Sequence, residues 1–388
     1  MKKYQKPKFE VADVFNQYGD NYLKSFSLPL DHLKVFHSLK ACRTSVLGGH
    51  LNKCSSCEFT ANSYNSCKNR HCPKCQGMNQ LKWVEDRNTD LLPVKYFHLV
   101  FTIPCELNHL CLTNRKVLYT ILFKASSETI KMLCKDDKHL GASPAILSVL
   151  HTWGQKLTEH PHIHMIVSAG GKTDDNKWKH SRKKFFIPVK VMSKVFRAKF
   201  LCKLKEAVKA DKVIFVGKSK FLEQKINFQK LINLMFKKAW VVYAKKPFKG
   251  AGGVLKYLGK YTHRIAISNH RILSVKNGLV SFLYKDYQDS SKQKNLTLNA
   301  SEFIRRFLLH LLPTGFFKIR HYGIIASRIK KENLKVLRKD LKAVDPIKIP
   351  TENWQEKLLR LTGFDVRECP KCKKHTFESI SSIKGALT

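Results

Sequence analysis

Residues 151–171 read HTWGQKLTEHPHIHMIVSAGG, an apolar run interrupted by His162 and His164. In an extended strand successive side chains point to opposite faces, so residues two apart share a face. The run therefore reads as a β-strand that presents two imidazoles on one side. The preceding AILSVLHTW, residues 145–153, reads as a second strand that carries His151. If the two pair as a hairpin around GQKLTEHP, a register with His151 opposite His164 brings His151, His162 and His164 together. His160, just before Pro161, falls in the expected turn and is left out of this set. Three nitrogen ligands on rigid strands, with coordination positions left open, suit a divalent cation that also holds a substrate oxygen. An HxH pair alone often has no such role; the third histidine favours convergence.

Working outward, VKYFHLVFTI (94–103) reads as a strand and Asn114 to Cys134 as a helix. KVMSKVFRAKFLCKLKEAV and FLEQKINFQKLINLMFKKAW read as amphipathic helices, and RILSVKNGLVSFLYKDY as a hairpin turning at Asn277-Gly278. Strands and helices in this order predict an α+β fold, an antiparallel or mixed sheet packed on helices. At roughly 100–200 residues per domain, the 388 residues divide into an N-terminal helical and cysteine-rich segment (1–90), a central segment (91–290) and a basic helical C-terminal segment (291–388). In that last segment RIKKENLKVLRKDLKAV fits a DNA-contacting surface and a solvated face equally well.

Charge narrows the partner. Lys and Arg number 72 against 29 Asp and Glu, a formal +43, and such an excess points to a polyanion, most simply nucleic acid. Aromatic and basic residues interleave in WKHSRKKFF and FFKIRHYG, the mixture that stacks bases and neutralises phosphates, which singles out Lys183, Lys184 and Arg320. The longest apolar runs, such as AILSVL, fall far short of the roughly 20 residues of a membrane span, and no apolar segment follows the charges of MKKYQKPKFE. The chain is expected to be soluble and intracellular, with no membrane partner.

Six of the twelve cysteines fall into CxxC pairs, which in a chain without a secretion signal favours metal over disulfides. Cys54 and Cys57 form one pair and Cys72 and Cys75 a second, the spacing of a tetrahedral thiolate site for structural zinc. Cys42, His50, Cys67 and His71 lie in the same stretch; Cys67 and His71 are the further candidate ligands, so one or two zinc ions are expected. Cys369 and Cys372, near His375, make half of another knuckle without an evident fourth ligand.

A nucleophile is sought in GAGGVLKYLGKYTHRIAISNHRI (250–272). Tyr257 and Tyr261 are four apart and share a helix face, with Lys260, His263 and Arg264 around them. A phenol with an ordinary pKa near 10 needs a cation or a base nearby to attack phosphorus. Packing in a core is the other reading of such a pair.

HPHIH together with YLGKYTHRIAISNHRI resembles the two-tyrosine HUH single-strand nucleases, and specifically the rolling-circle transposases of the insertion sequence 91 family. CRTSVLGGH followed by YNSCKNRHCPKCQ is similar to that family's zinc-binding region, and HTWGQKLTEHPHIH, WKHSRKKFFIPVKVMSKVFRAKFL and LPTGFFKIRHYG to its catalytic region. The resemblance implies an RNA-recognition-like antiparallel sheet, His162 and His164 as the HUH pair, and Tyr257 and Tyr261 as nucleophiles. His151 then takes the place of a third histidine found in related relaxases. It further implies Mg or Mn at the histidines, 5′-phosphotyrosine intermediates, and single-stranded element ends and target DNA as substrates. Lys260, Arg264, Arg320, Lys183 and Lys184 are the expected DNA contacts, in a cytoplasmic, nucleoid-associated bacterial protein. No GxxxxGK[ST] stretch is present, in keeping with chemistry that needs no ATP. The alternatives are a plasmid replication initiator or relaxase with the same site, and a zinc-containing nucleic-acid-binding regulator without catalysis.

Overall fold

The computed structural model describes residues 7–181, 187–248, 266–344 and 351–386, together with 253, 254, 257, 259, 262 and 263. In chain order the strands are β1 (Gly49–Cys54), β2 (Thr60–Tyr64), β3 (Tyr96–Thr102), β4 (Ser143–Trp153), β5 (Glu159–Lys172), β6 (Trp178–His180), β7 (Val242–Phe248), β8 (Ile272–Lys276), β9 (Leu279–Asp286), β10 (Lys292–Asn299), β11 (Ile319–Gly323) and β12 (Phe377–Ile383). The helices are α1 (Val11–Ser25), α2 (Leu30–Ala41), α3 (Gln76–Asn88), α4 (Asn108–Thr113), α5 (Arg115–Lys135), α6 (Val189–Lys209), α7 (Lys225–Lys237), α8 (Ala300–Leu308), α9 (Lys330–Asp340) and α10 (Trp354–Thr362). Gly253, Val254, Tyr257, Gly259 and Thr262 are also helical. None of the described helices is long and apolar enough to cross a membrane.

Three consecutive domains were expected; the chain instead forms two interleaved units. One comprises Met1–Trp83, His263–Leu311 and Ile347–Thr388, the other Val84–Thr262 and Leu312–Pro346. The C-terminal segment belongs with the N-terminal residues because β12 pairs with β1, and the hairpin at Asn277-Gly278 because the Gly278 amide donates to the Tyr18 hydroxyl and the Val11 amide to the Asn269 side chain.

The second unit is α+β. Its antiparallel sheet runs in the order β11-β4-β5-β3-β7, with β6 paired to the far end of β5. Alternation along the strands separates its two faces. Phe97, Leu99 and Phe101 of β3, Ile146 and Leu150 of β4, and Ile163, Met165 and Val167 of β5 join one core with Leu118 and Leu122 of α5 and Phe196 and Phe200 of α6. Phe101 meets Phe196 edge to face at 5.0 Å between ring centres. Asn114, at the head of α5, locks the loop after α6 by a reciprocal pair, its side chain donating to and accepting from the Ile214 backbone at 2.8 Å each. The residues between the core positions, His98, His151, His162 and His164, therefore occupy the opposite face.

In the first unit β12-β1-β2 form one sheet and β10-β9-β8 a meander. Phe15 of α1 packs edge to face on Phe36 of α2 (5.1 Å) and Phe307 of α8 (5.6 Å), and Phe282 of β9 on Phe303 of α8 (5.9 Å). The β8–β9 turn has φ of 53° at Asn277 and 74° at Gly278. Positive φ at both central residues is what a two-residue hairpin of this twist requires. A Cβ at 278 would meet no atom within 4 Å, so the positive φ is what opposes adding one. Gly278→Val should therefore cost about 1–2 kcal/mol, read as a lowered denaturant midpoint, whereas Asn277→Gly should leave the midpoint nearly unchanged; equal stability of the valine variant would refute the turn assignment.

Candidate metal and nucleophile centres

The β4–β5 hairpin gathers the histidines, in a register different from the expected one. His151 lies opposite His162, and Val149 opposite His164. Moving the pairing by two residues rather than one preserves the face on which each side chain lies, so the convergence survives. One candidate ligand atom from each of His151, His162 and His164 lies within 4.8 Å of the other two. Nε2 of His162 is 3.1 Å from Nε2 of His164, and the His151 ring is centred 4.4 Å from that of His164. All three residues are buried.

Burial determines their protonation. Removal from water penalises the charged form, so His162 is pushed down to about 3 and His164 well below the usual imidazole range. Both are neutral near pH 7 and keep a lone pair. Nδ1 of His162 donates to the carbonyl of His160 at 2.6 Å, which leaves the Nε2 lone pair to face the centre. His160 itself is not in a turn: β5 starts at Glu159, and the tighter loop lets the His160 backbone orient His162.

His98, on β3, was not singled out in the sequence. Its Nε2 lies 2.9 Å from Nδ1 of His164, with the two rings stacked 6° from parallel. Burial, with Lys245 adding repulsion, pushes His98 down to about 4, so it too is neutral. If His164 offers Nε2 to a metal, its Nδ1–H donates to Nε2 of His98, the usual way an outer imidazole fixes a ligand's tautomer and orientation. The period of VKYFHLVFTI places His98 between core residues on the non-core face, but only the β3–β5 register shows which residue it touches. Its contact with Tyr257 joins it to the nucleophile candidate. The two rings meet edge to face at 5.0 Å, Phe248 lies 5.3 Å from the phenol ring, and Nζ of Lys245 stands 5.5 Å from its centre. The phenol is thus tied to the histidine face through one intervening imidazole, with a cation beside it.

Tyr261, Lys260, Arg264, Lys183 and Lys184 lie outside the described residues. Arg320 is described, and it stands apart from the histidines. It pairs with Ser148 across β11 and β4, on the helix-covered face, and its guanidinium lies 4.3 Å from the Phe123 ring centre and 5.1 Å from that of Phe316. Parity along β11 decides this: the neighbouring His321, not Arg320, faces the histidine side.

The expected zinc set of Cys54, Cys57, Cys72 and Cys75 is not brought together. Cys72 and Cys75 instead cluster with Cys42 and Cys67, and Cys54 and Cys57 with Cys369 and Cys372. Cys67 lies in the first of these clusters; His71 and His50 belong to neither. In the first cluster Sγ of Cys42 lies 3.5 Å from those of Cys72 and Cys75, and Cys67 is 3.6 Å from Cys75. Tetrahedral zinc with bonds of about 2.3 Å requires sulfur separations of about 3.8 Å, so the cage is nearly the right size. All four cysteines are free thiols. Contact with Cys42 pulls the Cys75 thiol far down and pushes that of Cys72 far up, since four adjacent sulfurs cannot all ionise without a cation among them. The donor set fits structural zinc, with no position left for substrate.

Comparison with known proteins identifies the family. A family model described as "Transposase zinc-binding domain" matches residues 14–103, and one described as "Putative transposase" matches residues 145–333, spanning β4 through β11. The chain is 39% identical over 381 residues to "Putative transposase y4qJ" of Sinorhizobium fredii, covering 97% of this chain and 96% of that protein. It is 25% identical over 363 residues to the transposase for insertion sequence element IS801 of Pseudomonas savastanoi pv. phaseolicola, covering 92% and 85%. An α+β core bearing the histidine hairpin, a cysteine-rich amino-terminal region and full-length similarity to these proteins place the chain in the insertion sequence 91 family of transposases, DNA-processing enzymes with an N-terminal zinc-binding domain.

Proposed function

We propose that the protein cuts and rejoins single-stranded DNA at the ends of a rolling-circle element, using Tyr257 as a nucleophile beside a Mg or Mn ion held by His151, His162 and His164. The observation that carries this reading is the face shared by three buried imidazoles and linked through His98 to a phenol. A divalent ion there supplies positive charge that polarises and orients the scissile phosphate. The chain's own residues do the rest. The imidazoles offer lone pairs on two rigid strands, His98 holds His164 in place, and Lys245 favours the anionic phenol.

Attack of the Tyr257 oxygen on phosphorus forms the P–O(Tyr) bond and breaks the P–O3′ bond. The phenolic proton is balanced by the proton that the leaving 3′ oxygen takes up, giving a 5′-phosphotyrosine and a free 3′-OH. Reversal by that or another 3′-OH rejoins DNA without ATP, because the linkage conserves the bond energy. Tyr261 is the second nucleophile in this reading, permitting another strand to be cut while the first is attached. Lys183, Lys184, Lys260 and Arg264 neutralise phosphates, and the zinc-binding region takes part in recognising element ends at the nucleoid.

Denaturant-resistant capture of a single-stranded oligonucleotide, mapped by mass spectrometry, tests the chemistry. The wild type should give a conjugate at Tyr257 or Tyr261; the Tyr257→Phe/Tyr261→Phe double variant should give none while retaining binding, and His162→Ala should lower capture by roughly 100-fold or more, the scale of losing a principal electrostatic group. A wild type that binds element-end DNA but never forms a conjugate would identify a non-catalytic regulator. His98→Phe keeps a ring of similar size but removes the acceptor, so Mn affinity should fall about 10–100-fold; an unchanged titration would remove His98 from the site. With six to ten phosphates of a single strand neutralised, DNA affinity should drop roughly 10²–10⁴-fold between about 50 and 200 mM salt, and a flat response would exclude the charged surface as the source of binding.

A further inference from the structure

The family's zinc-binding match ends at residue 103, yet Cys54 and Cys57 have their sulfur partners more than 300 residues further on. Sγ of Cys54 is 3.6 Å from that of Cys372, and Sγ of Cys57 is 3.6 Å from that of Cys369. The two CxxC turns are also the same turn built twice. In the first, the Cys54 amide donates to Phe59 O at 2.9 Å, the Glu58 amide to Cys54 O at 3.0 Å, and Glu58 has φ of 58°. In the second, the Cys369 amide donates to Lys374 O at 2.8 Å, the Lys373 amide to Cys369 O at 3.0 Å, and Lys373 has φ of 63°. Left-handed backbone at a non-glycine residue is strained, and here it recurs at the matching position of both turns. Each turn points its sulfur pair at the other's. His375, the other candidate near the second pair, is instead 3.1 Å from Asp365 and adds no ligand.

The surrounding segment lacks an ordinary means of staying in place. Among described residues 351–386, Cys369 is the sole buried one, and α10 buries none of its residues. β12 adds to β1 antiparallel with Cys54 opposite Phe377, but its side chains are mostly exposed. Strand pairing with so little apolar burial is marginal by itself.

We propose that Cys54, Cys57, Cys369 and Cys372 bind a second structural zinc ion, which clasps the carboxy-terminal segment to the zinc-binding region and holds β12 on β1. The site is a closed set of four thiolates made of two knuckles, each too small to hold the metal alone. Its role is structural, since four thiolates leave no open position. The proposal stands independently of the strand-cutting chemistry.

The test is zinc stoichiometry of the purified full-length protein by elemental mass spectrometry. The wild type should carry two zinc ions per chain, and Cys369→Ser/Cys372→Ser one, with amide protection lost across β12. Cys372→His should restore the second ion, because three thiolates and one imidazole make an equally good structural set. A single ion in the wild type, or two retained in the double variant, overturns the proposal. Should the serine variant fail to fold, differential alkylation of the wild type decides: Cys54, Cys57, Cys369 and Cys372 should resist the reagent together and become reactive together as chelator removes the ion. Independent reaction of the two pairs in zinc-saturated protein overturns the clasp, as does an intact mass showing a disulfide among them.

Discussion

The antiparallel pairing of β4 with β5 is the constraint on which the rest of the second unit depends. Because a strand's side chains alternate, one choice of face settles two problems together: which residues meet the helices and which are left to meet a substrate. Ile163, Met165 and Val167 are buried against α5 and α6, and burying each such side chain contributes about 1.5–3 kcal/mol. A one-residue slip would forfeit all three and drive His162 and His164 among phenylalanines. Hydrophobic packing on one side of the sheet thus holds the imidazoles in position on the other.

Burial also shapes the electrostatics. The chain carries a formal +43, yet His162 and His164 are neutral because burial disfavours protonation of either ring. An uncharged set of lone pairs within a strongly basic protein separates two tasks. The overall field draws a polyanion in, while the cluster stays available to a cation instead of competing with it. Lys245 is close enough to influence both His98 and the Tyr257 ring, and so couples the two halves of the site.

The cysteines follow a different logic. Thiol spacing records local turns, and each CxxC turn is local; the completion of a tetrahedral cage is not. Two knuckles adjacent in sequence, at Cys54 and Cys72, serve different cages, and the first of them is completed from the far end of the chain. Closing a loop of that length carries a large entropic cost that grows only slowly with further length, so distance along the chain is a poor guide to which pairs meet.

The sequence by itself determined the element types, the α+β class, the strongly basic character, the turn at Asn277-Gly278 and the shared face of His151, His162 and His164, because periodicity, turn chemistry and charge are properties of neighbouring residues. Even the mistaken register kept that face, since it differed by an even number of residues. Tertiary structure alone decided the rest: that His98 braces His164, that Arg320 faces the helices, that the hairpin and the carboxy-terminal segment join the amino-terminal unit, and that six candidate cysteines and two more from residues 369–372 sort into two cages. Each of these rests on which distant segments pair and in what register, and that is set by burial and hydrogen bonding summed over the whole fold, which no short stretch encodes.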